Sequence, residues 1–256
     1  MDVHVLGAHN SESANSRMTS ILIDEVLALD AGGLTSSLPL EEQAKIKAIL
    51  LTHYHFDHIR DVATIGMNSF LGGSMELYST KVVLEAITSH ILNEVIYPDF
   101  SKRPSPESPA LKFHAIEPLK PEFIGGYRVL AVPTRHNVPS VGYEVTSEDG
   151  RSLFYTGDTG PGCGSCWEAT SPDLLITELT MPDRYEEHAA SSGHLSPRLL
   201  KQELVDFQRI KGYLPPVVLV HISPQFEGEI QDEVGQVAKE IGARITLGYE
   251  GMRVSL

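Results

Sequence analysis

The chain has 256 residues, with 34 Asp and Glu against 20 Lys and Arg and a net charge of −14 when the histidines are neutral. That length suffices for one large domain with a substantial core, and 41% hydrophobic with 21% charged residues is an ordinary globular balance. An acidic chain without a dense Lys/Arg run lacks the surface that grips a polynucleotide backbone, so nucleic acid is not the expected partner.

In chain order, residues 3–6 give the first strand pattern, with no basic and apolar leader before it. No apolar run is long enough to span a bilayer, which makes a cytoplasmic location without a membrane partner the expectation. Strand-like runs follow at 20–23 and 26–29, split by turn residues such as Asn10-Ser11 and Asp24-Glu25. Residues 39–44 read as a short helix with Pro near its start. Ala48-Ile49-Leu50-Leu51 is the continuous apolar run of a buried strand, and it leads directly into Thr52-His53-Tyr54-His55-Phe56-Asp57-His58. His53 and His55, two apart on extended backbone, point the same way, and Asp57 and His58 can turn back toward them.

Val83, Ile87, Ile91 and Val95 recur every four residues, predicting a helix over 80–95, and the Pro-rich stretch 98–109 is expected to be loop. A second set of strands is expected from about Tyr127: 128–132 followed by His136, 152–155 followed by Asp158, 173–177 ending on Glu178, 217–220 ending on His221, and 244–247. Helices at 197–211 and 229–241 fall between them. Strands in two groups with helices outside predict an α/β fold, an αββα sandwich over 1–256 with its site at one edge of the sheets. The stretch 67–121 reads as an insertion, a candidate lid or homodimer surface. Its Phe70, Tyr78, Tyr97, Phe100 and Phe113 offer rings for a nucleobase, although ordinary packing is the simpler reading of each. His4, His9, His90, His114 and His188 lack ligand spacing and read as structural.

The runs at 48–51, 128–132, 152–155 and 217–220 thus deliver His or Asp at their carboxyl ends, and neutral imidazole with carboxylate suits zinc, manganese or iron. The His-x-His-x-Asp-His pattern, with His136, Asp158 and His221 downstream, resembles the metallo-β-lactamase fold of binuclear metallohydrolases over nearly the whole chain. The resemblance implies two divalent ions, zinc by default. His53, His55 and His136 would hold one ion, Asp57, His58 and His221 the other, and Asp158 would bridge them. Asp30, in Leu29-Asp30-Ala31-Gly32-Gly33, matches a buried carboxylate that supports the site. The segments His90-Ile91-Leu92-Asn93-Glu94-Val95-Ile96-Tyr97-Pro98-Asp99-Phe100, Glu178-Leu179-Thr180-Met181-Pro182-Asp183 and Ser192-Gly193-His194-Leu195-Ser196-Pro197 resemble class II cyclic-nucleotide phosphodiesterases. Ribonuclease Z shares the ligand set and a comparable extra histidine.

Two divalent ions, two carboxylates (Asp57 and Asp158) and one bridging hydroxide leave about +1, which suits a phosphodiester. The expected reaction is hydrolysis of cAMP or cGMP to the 5′-monophosphate, with the bridging hydroxide as nucleophile and Asp57 counted among the reacting groups. His194 falls outside the ligand set at a position that the resemblance marks as functional, where an imidazolium protonates or stabilises the leaving 3′ oxygen. Glu178 would orient it, as carboxylates hold catalytic imidazoles. The competing readings are a ribonuclease Z-like tRNA 3′-processing nuclease, an ester, lactone or thioester hydrolase, and a non-catalytic binding member of the fold. Cys163-Gly164-Ser165-Cys166 has C-x-x-C spacing but no second pair for a zinc knuckle, so a reduced loop pair is expected, with redox control of the nearby Asp158 as the alternative.

Overall fold

A computed structural model describes residues 1–70 and 72–256. The first half runs β1 (Asp2–Gly7), β2 (Ser20–Ile23), β3 (Leu27–Leu29), α1 (Leu34–Ser37), α2 (Leu40–Gln43), β4 (Ala48–Leu50), α3 (Phe56–Ile59) and α4 (Val62–Ser69). Then come β5 (Met75–Ser79), α5 (Lys81–His90), β6 (Pro104–Ser105), β7 (Ser108–Pro109) and β8 (Leu111–Ala115). The second half runs β9 (Pro121–Ile124), β10 (Tyr127–Pro133), β11 (Val141–Thr146), β12 (Ser152–Tyr155), α6 (Gly164–Ala169), β13 (Leu174–Glu178) and α7 (Glu186–Ser192). It closes with α8 (Pro197–Lys211), β14 (Val217–Val220), α9 (Glu227–Ile241), β15 (Ile245–Leu247) and β16 (Arg253–Ser255).

Two seven-stranded sheets result, ordered β16-β1-β2-β3-β4-β5-β8 and β15-β14-β13-β12-β11-β10-β9. Starting from β16 and from β9, each sheet pairs three times antiparallel and then three times parallel. The apolar runs are continuous because both faces of these strands are covered. Ile21 and Ile23 face the other sheet, while Leu22 between them faces helices. Likewise Leu153 and Tyr155 enter the space between the sheets and Phe154 packs outward, as a period of two requires. The first sheet's outer face carries Leu34, Val62, Ile65, Val83 and Ile87 from α1, α4 and α5. The second sheet's carries Trp167, Leu200, Leu204, Phe207, Ile230 and Val234 from α6, α8 and α9. The layers are therefore the αββα sandwich expected.

Four local expectations need correction. The helix predicted over 80–95 stops at His90: Ile91 and Leu92 both donate their N–H to the Ile87 carbonyl, and Glu94 turns to φ 64. The Asn93 side chain caps the following turn by accepting from the N–H groups of Val95 and Ile96, leaving Val95 85% exposed. Within the Pro-rich 98–109, β6 and β7 pair over two residues each, with the prolines at the outer ends where a missing N–H costs no ladder bond. The second sheet begins at β9, before Tyr127, and β16 adds an edge strand that three short, mostly exposed residues did not signal. Finally, 67–121 is not wholly an insertion, because β5 and β8 hold places in the first sheet. Of its aromatic residues, Phe100 is buried and Phe70, Tyr97 and Phe113 pack against the same outer core. Among the described residues, no helix is long and apolar enough to cross a membrane.

Candidate metal centre

β4 of the first sheet and β10, β12, β13 and β14 of the second end at one edge, and the residues that follow or close them carry the site. Beyond β4 come His53 and His55, then α3 turns Asp57 and His58 back toward them. Beyond β10, β12 and β14 come His136, Asp158 and His221, and β13 ends on Glu178. The ligand atoms of His53, His55, His136 and Asp158 lie within 4.8 Å of one another, and so do those of Asp57, His58, Asp158 and His221. Asp158 is common to both groups. Its carboxylate lies 3.6 Å from His53 Nε2 and 3.8 Å from His136 Nε2 on one side, and 3.1 Å from His58 Nε2 and 3.3 Å from His221 Nε2 on the other. All seven expected ligand residues are thus brought together.

Neighbouring groups fix which nitrogen four of the five imidazoles turn inward. His58 donates from Nδ1 to Asp30 Oδ2 at 2.7 Å, and His136 donates from Nδ1 to the Gly193 carbonyl at 2.9 Å. Thr52 Oγ1 spends its proton on Asp30 and accepts from His53 Nδ1 at 3.0 Å; Thr180 Oγ1 donates to Glu178 and accepts from His221 Nδ1 at 2.8 Å. Four Nε2 atoms are left facing the common space, as oriented metal ligands require. Gly193 is tied to this arrangement: its φ is 78, and a Cβ there would stand 2.9 Å from His136 Nδ1. Asp30 and His221 are themselves left-handed, at φ 56 and 62, a strain that surrounding contacts sustain at functional sites.

The residues fit divalent cations. His53 Nε2, His58 Nε2 and Asp158 Oδ1 are buried without a hydrogen-bond partner, and all three face the shared space. Buried orphans of this kind are costly unless something coordinates them. Burial before all else lowers His53, His55 and His136 below the ordinary histidine value, which leaves them neutral and ready to ligate. Burial would raise the Asp158 carboxyl, yet the imidazoles of His221 and His58 bring it well below its ordinary value. Burial works against a charge on His58 too, and Asp158 and Asp30 outweigh it and raise that histidine well above 6.5. The cluster therefore demands positive charge at its centre.

His194 stands outside both groups. Its ring centre lies 5.1 Å from that of His136 and 5.2 Å from that of His221, so it overlooks both halves of the site. Its Nδ1 donates to Glu178 Oε1 at 2.7 Å. Burial lowers its affinity for a proton, but the Glu178 charge and hydrogen bond prevail and carry its pKa up to about 9. Glu178, fully buried, also accepts from the N–H groups of Thr159 and Leu195.

Sequence reading named Asp30 and Glu178 but gave no role to Thr52, Thr180, Tyr155 or Gly193. Thr52 and Thr180 lie inside motifs already singled out, adjacent to His53 and two residues past Glu178. Tyr155, which donates to Asp30 at 2.8 Å across 125 residues, carries no local signal. The Cys163 and Cys166 thiols are free and buried at the start of α6, with Cys163 Sγ 3.0 Å from Thr159 Oγ1.

A family model described as the beta-lactamase superfamily domain matches residues 19–222. The mitochondrial hydroxyacylglutathione hydrolase of Saccharomyces cerevisiae is 29% identical over 166 residues, covering 63% of this chain and 50% of that protein. Ribonuclease Z of Gemmatimonas aurantiaca is 30% identical over 107 residues, covering 42% and 32%. The chain thus spans about half the length of the first relative and about a third of the second. In fold, the crystal structure of unliganded yeast PDE1 matches with a TM-score of 0.84 at 15% identity, over 100% of this chain and 99% of that one.

Proposed function

The chain belongs to the beta-lactamase superfamily, and from that premise we propose that it is a metal-dependent phosphodiesterase hydrolysing 3′,5′-cyclic nucleotides, cAMP or cGMP, to 5′-monophosphates. The observation that carries this reading is the placement of His194, an imidazole held through Nδ1 by Glu178 beside both ligand groups and belonging to neither. An alkoxide leaving group needs such a donor.

Two divalent ions, zinc by default, would be held by His53, His55 and His136, by Asp57, His58 and His221, and by Asp158 between them; when bound, they supply a water of lowered pKa and positive charge for the phosphoryl oxygens. The remaining work belongs to the chain. Thr52, Asp30, Gly193 and Thr180 keep four of the imidazoles in the tautomer that turns Nε2 toward the ion sites. As hydroxide (water that has already given one proton to solvent) adds to phosphorus and the bond to the 3′ oxygen breaks, His194 gives its proton to that oxygen and is reprotonated from solvent afterwards. Glu178 holds the imidazole at the angle of transfer and stabilises its charged form beforehand. The net charge of −14 favours a small diester of the cytoplasm over a long RNA.

The test is turnover of cAMP and cGMP by metal-loaded protein, beside an unprocessed tRNA precursor and a simple lactone, with Asp158→Ala as control. Opening of a cyclic nucleotide that disappears in the control supports the proposal. Silence on both nucleotides with clean cleavage of the precursor replaces it by the ribonuclease reading, which the 30% identity to ribonuclease Z favours.

A further inference from the structure

The cavity over the site, about 320 Å³, is walled by His55, Asp57, Asp158, His194 and His221, all of them placed above in ion holding or proton transfer, and by two residues with neither duty, Asn10 and Phe56. Phe56 is the residue between His55 and Asp57 in the ligand run. Because those neighbours turn inward, the first position of α3 points out, and its phenyl ring is 61% exposed. A lone exposed phenylalanine is ordinary on a protein surface. Here the ring lies in the wall of the reaction cavity, one residue from ligand groups on either side.

Asn10 is held rigidly there. Its backbone N–H donates to the Ile222 carbonyl at 3.2 Å, next to His221, and its side-chain amide donates to Ser223 Oγ at 2.9 Å. One amide proton and the amide oxygen remain for a ligand. A second cavity beyond His136, about 520 Å³, is lined by Val82, Pro118, Pro133 and Val138, but its only ring is His136 itself. A flat heterocycle gains most from a π face, and Phe56 is the aromatic ring of this cavity with no part in ion holding or proton transfer.

We propose that Phe56 is the specificity-determining residue of this site, a platform on which the base of the nucleotide stacks, with the Asn10 amide hydrogen-bonding a polar edge of the same substrate. This rests on the phosphodiesterase reading and adds to it a reason for nucleotides to be preferred over simple diesters of equal charge.

The experiment compares Phe56→Ala, Phe56→Leu and Phe56→Tyr with wild type in metal-loaded protein. Two ratios are read: kcat/KM for cAMP over the base-free 3′,5′-cyclic phosphate of methyl riboside, and calorimetric affinity for 5′-AMP over ribose 5-phosphate. Bound metal per chain is measured in each variant. Stacking predicts that both ratios fall about tenfold in Phe56→Ala and Phe56→Leu and recover in Phe56→Tyr, since leucine keeps bulk but has no π face. Ratios equal to wild type in the Ala and Leu variants overturn the proposal, and so does full rescue by leucine. Wild type that turns over neither diester removes the phosphodiesterase reading alone, provided the 5′-AMP preference and its dependence on Phe56 persist in the calorimeter; loss of both removes both.

Discussion

Asp30 takes the His58 Nδ1 proton, the Tyr155 and Thr52 hydroxyl protons and the Thr52 backbone N–H on one buried carboxylate. An amide in its place offers one oxygen and two protons where four donors converge, while asparagine tolerates the left-handed backbone that Asp30 adopts. Asp30→Asn is therefore expected to fold and to bind metal about 10- to 100-fold more weakly, measured by competition with a chelator. His194 acts on the other side of the chemistry. His194→Ala should retain the metal content of wild type and lose about 10²- to 10⁴-fold in kcat, the usual contribution of a positioned acid. Unchanged turnover in that variant would remove His194 from the mechanism.

The strands that carry the site were legible as apolar runs because two covered faces leave no polar positions to interrupt them, as β12 and β14 illustrate. Helix α5 was misjudged by the same logic, since a four-residue repeat of apolar side chains persists past the point where the backbone leaves the helix. The repeat is meaningful at Val83 and Ile87, which are buried, and accidental at Val95, which is exposed. Ile87→Ala should cost about 3 kcal/mol in denaturant unfolding, whereas Val95→Ser should fall within about 0.5 kcal/mol of wild type. Equal costs at the two positions would mean that the helix continues. Helices α8 and α9 were bounded well because chemistry marks their ends: Pro197 opens the first, and Gly212 and Gly242 close them with φ 78 and 64.

Across the molecule, the two ends of the chain are tied beside the site. His9 follows β1 and is 3% exposed; its Nδ1 lies 2.7 Å from Glu250, which also accepts the Arg17 N–H, and its Nε2 faces Glu227 at 3.6 Å. Burial alone would lower His9, but Glu250 and Glu227 raise it above 6.5; burial would raise Glu250, and His9 leads the contacts that lower it below 4.5. A raised histidine stabilises fully below its unfolded pKa and loses that contribution as pH climbs through the folded one. A depressed glutamate stabilises fully above its unfolded pKa and loses it as pH falls through the folded one. The tether is thus at full strength between about 4.5 and 6.5. His9→Gln should lower Tm by about 4 °C in that window and by progressively less at higher pH, read by thermal melts across pH. A difference that grows with alkalinity would mean that the pair is held neutral.

By itself, the sequence determined the layer order and the seven residues gathered at the candidate metal centre, while the separate standing of His194 was implied by the resemblance of its segment to a known family. Strand periodicity and ligand chemistry are local properties, readable within a few residues. Only the tertiary structure decided which nitrogen of His58, His136 and His221 faces inward, because their partners Asp30, Gly193 and Thr180 lie far away in the chain. It also decided that β5 and β8 belong to the first sheet, and that Phe56, indistinguishable in the chain from a buried phenylalanine, stands open on the cavity wall. Apolar side chains state that something will be buried. Which of them remain exposed is settled when the edges of two sheets meet and the space between their loops is shared out.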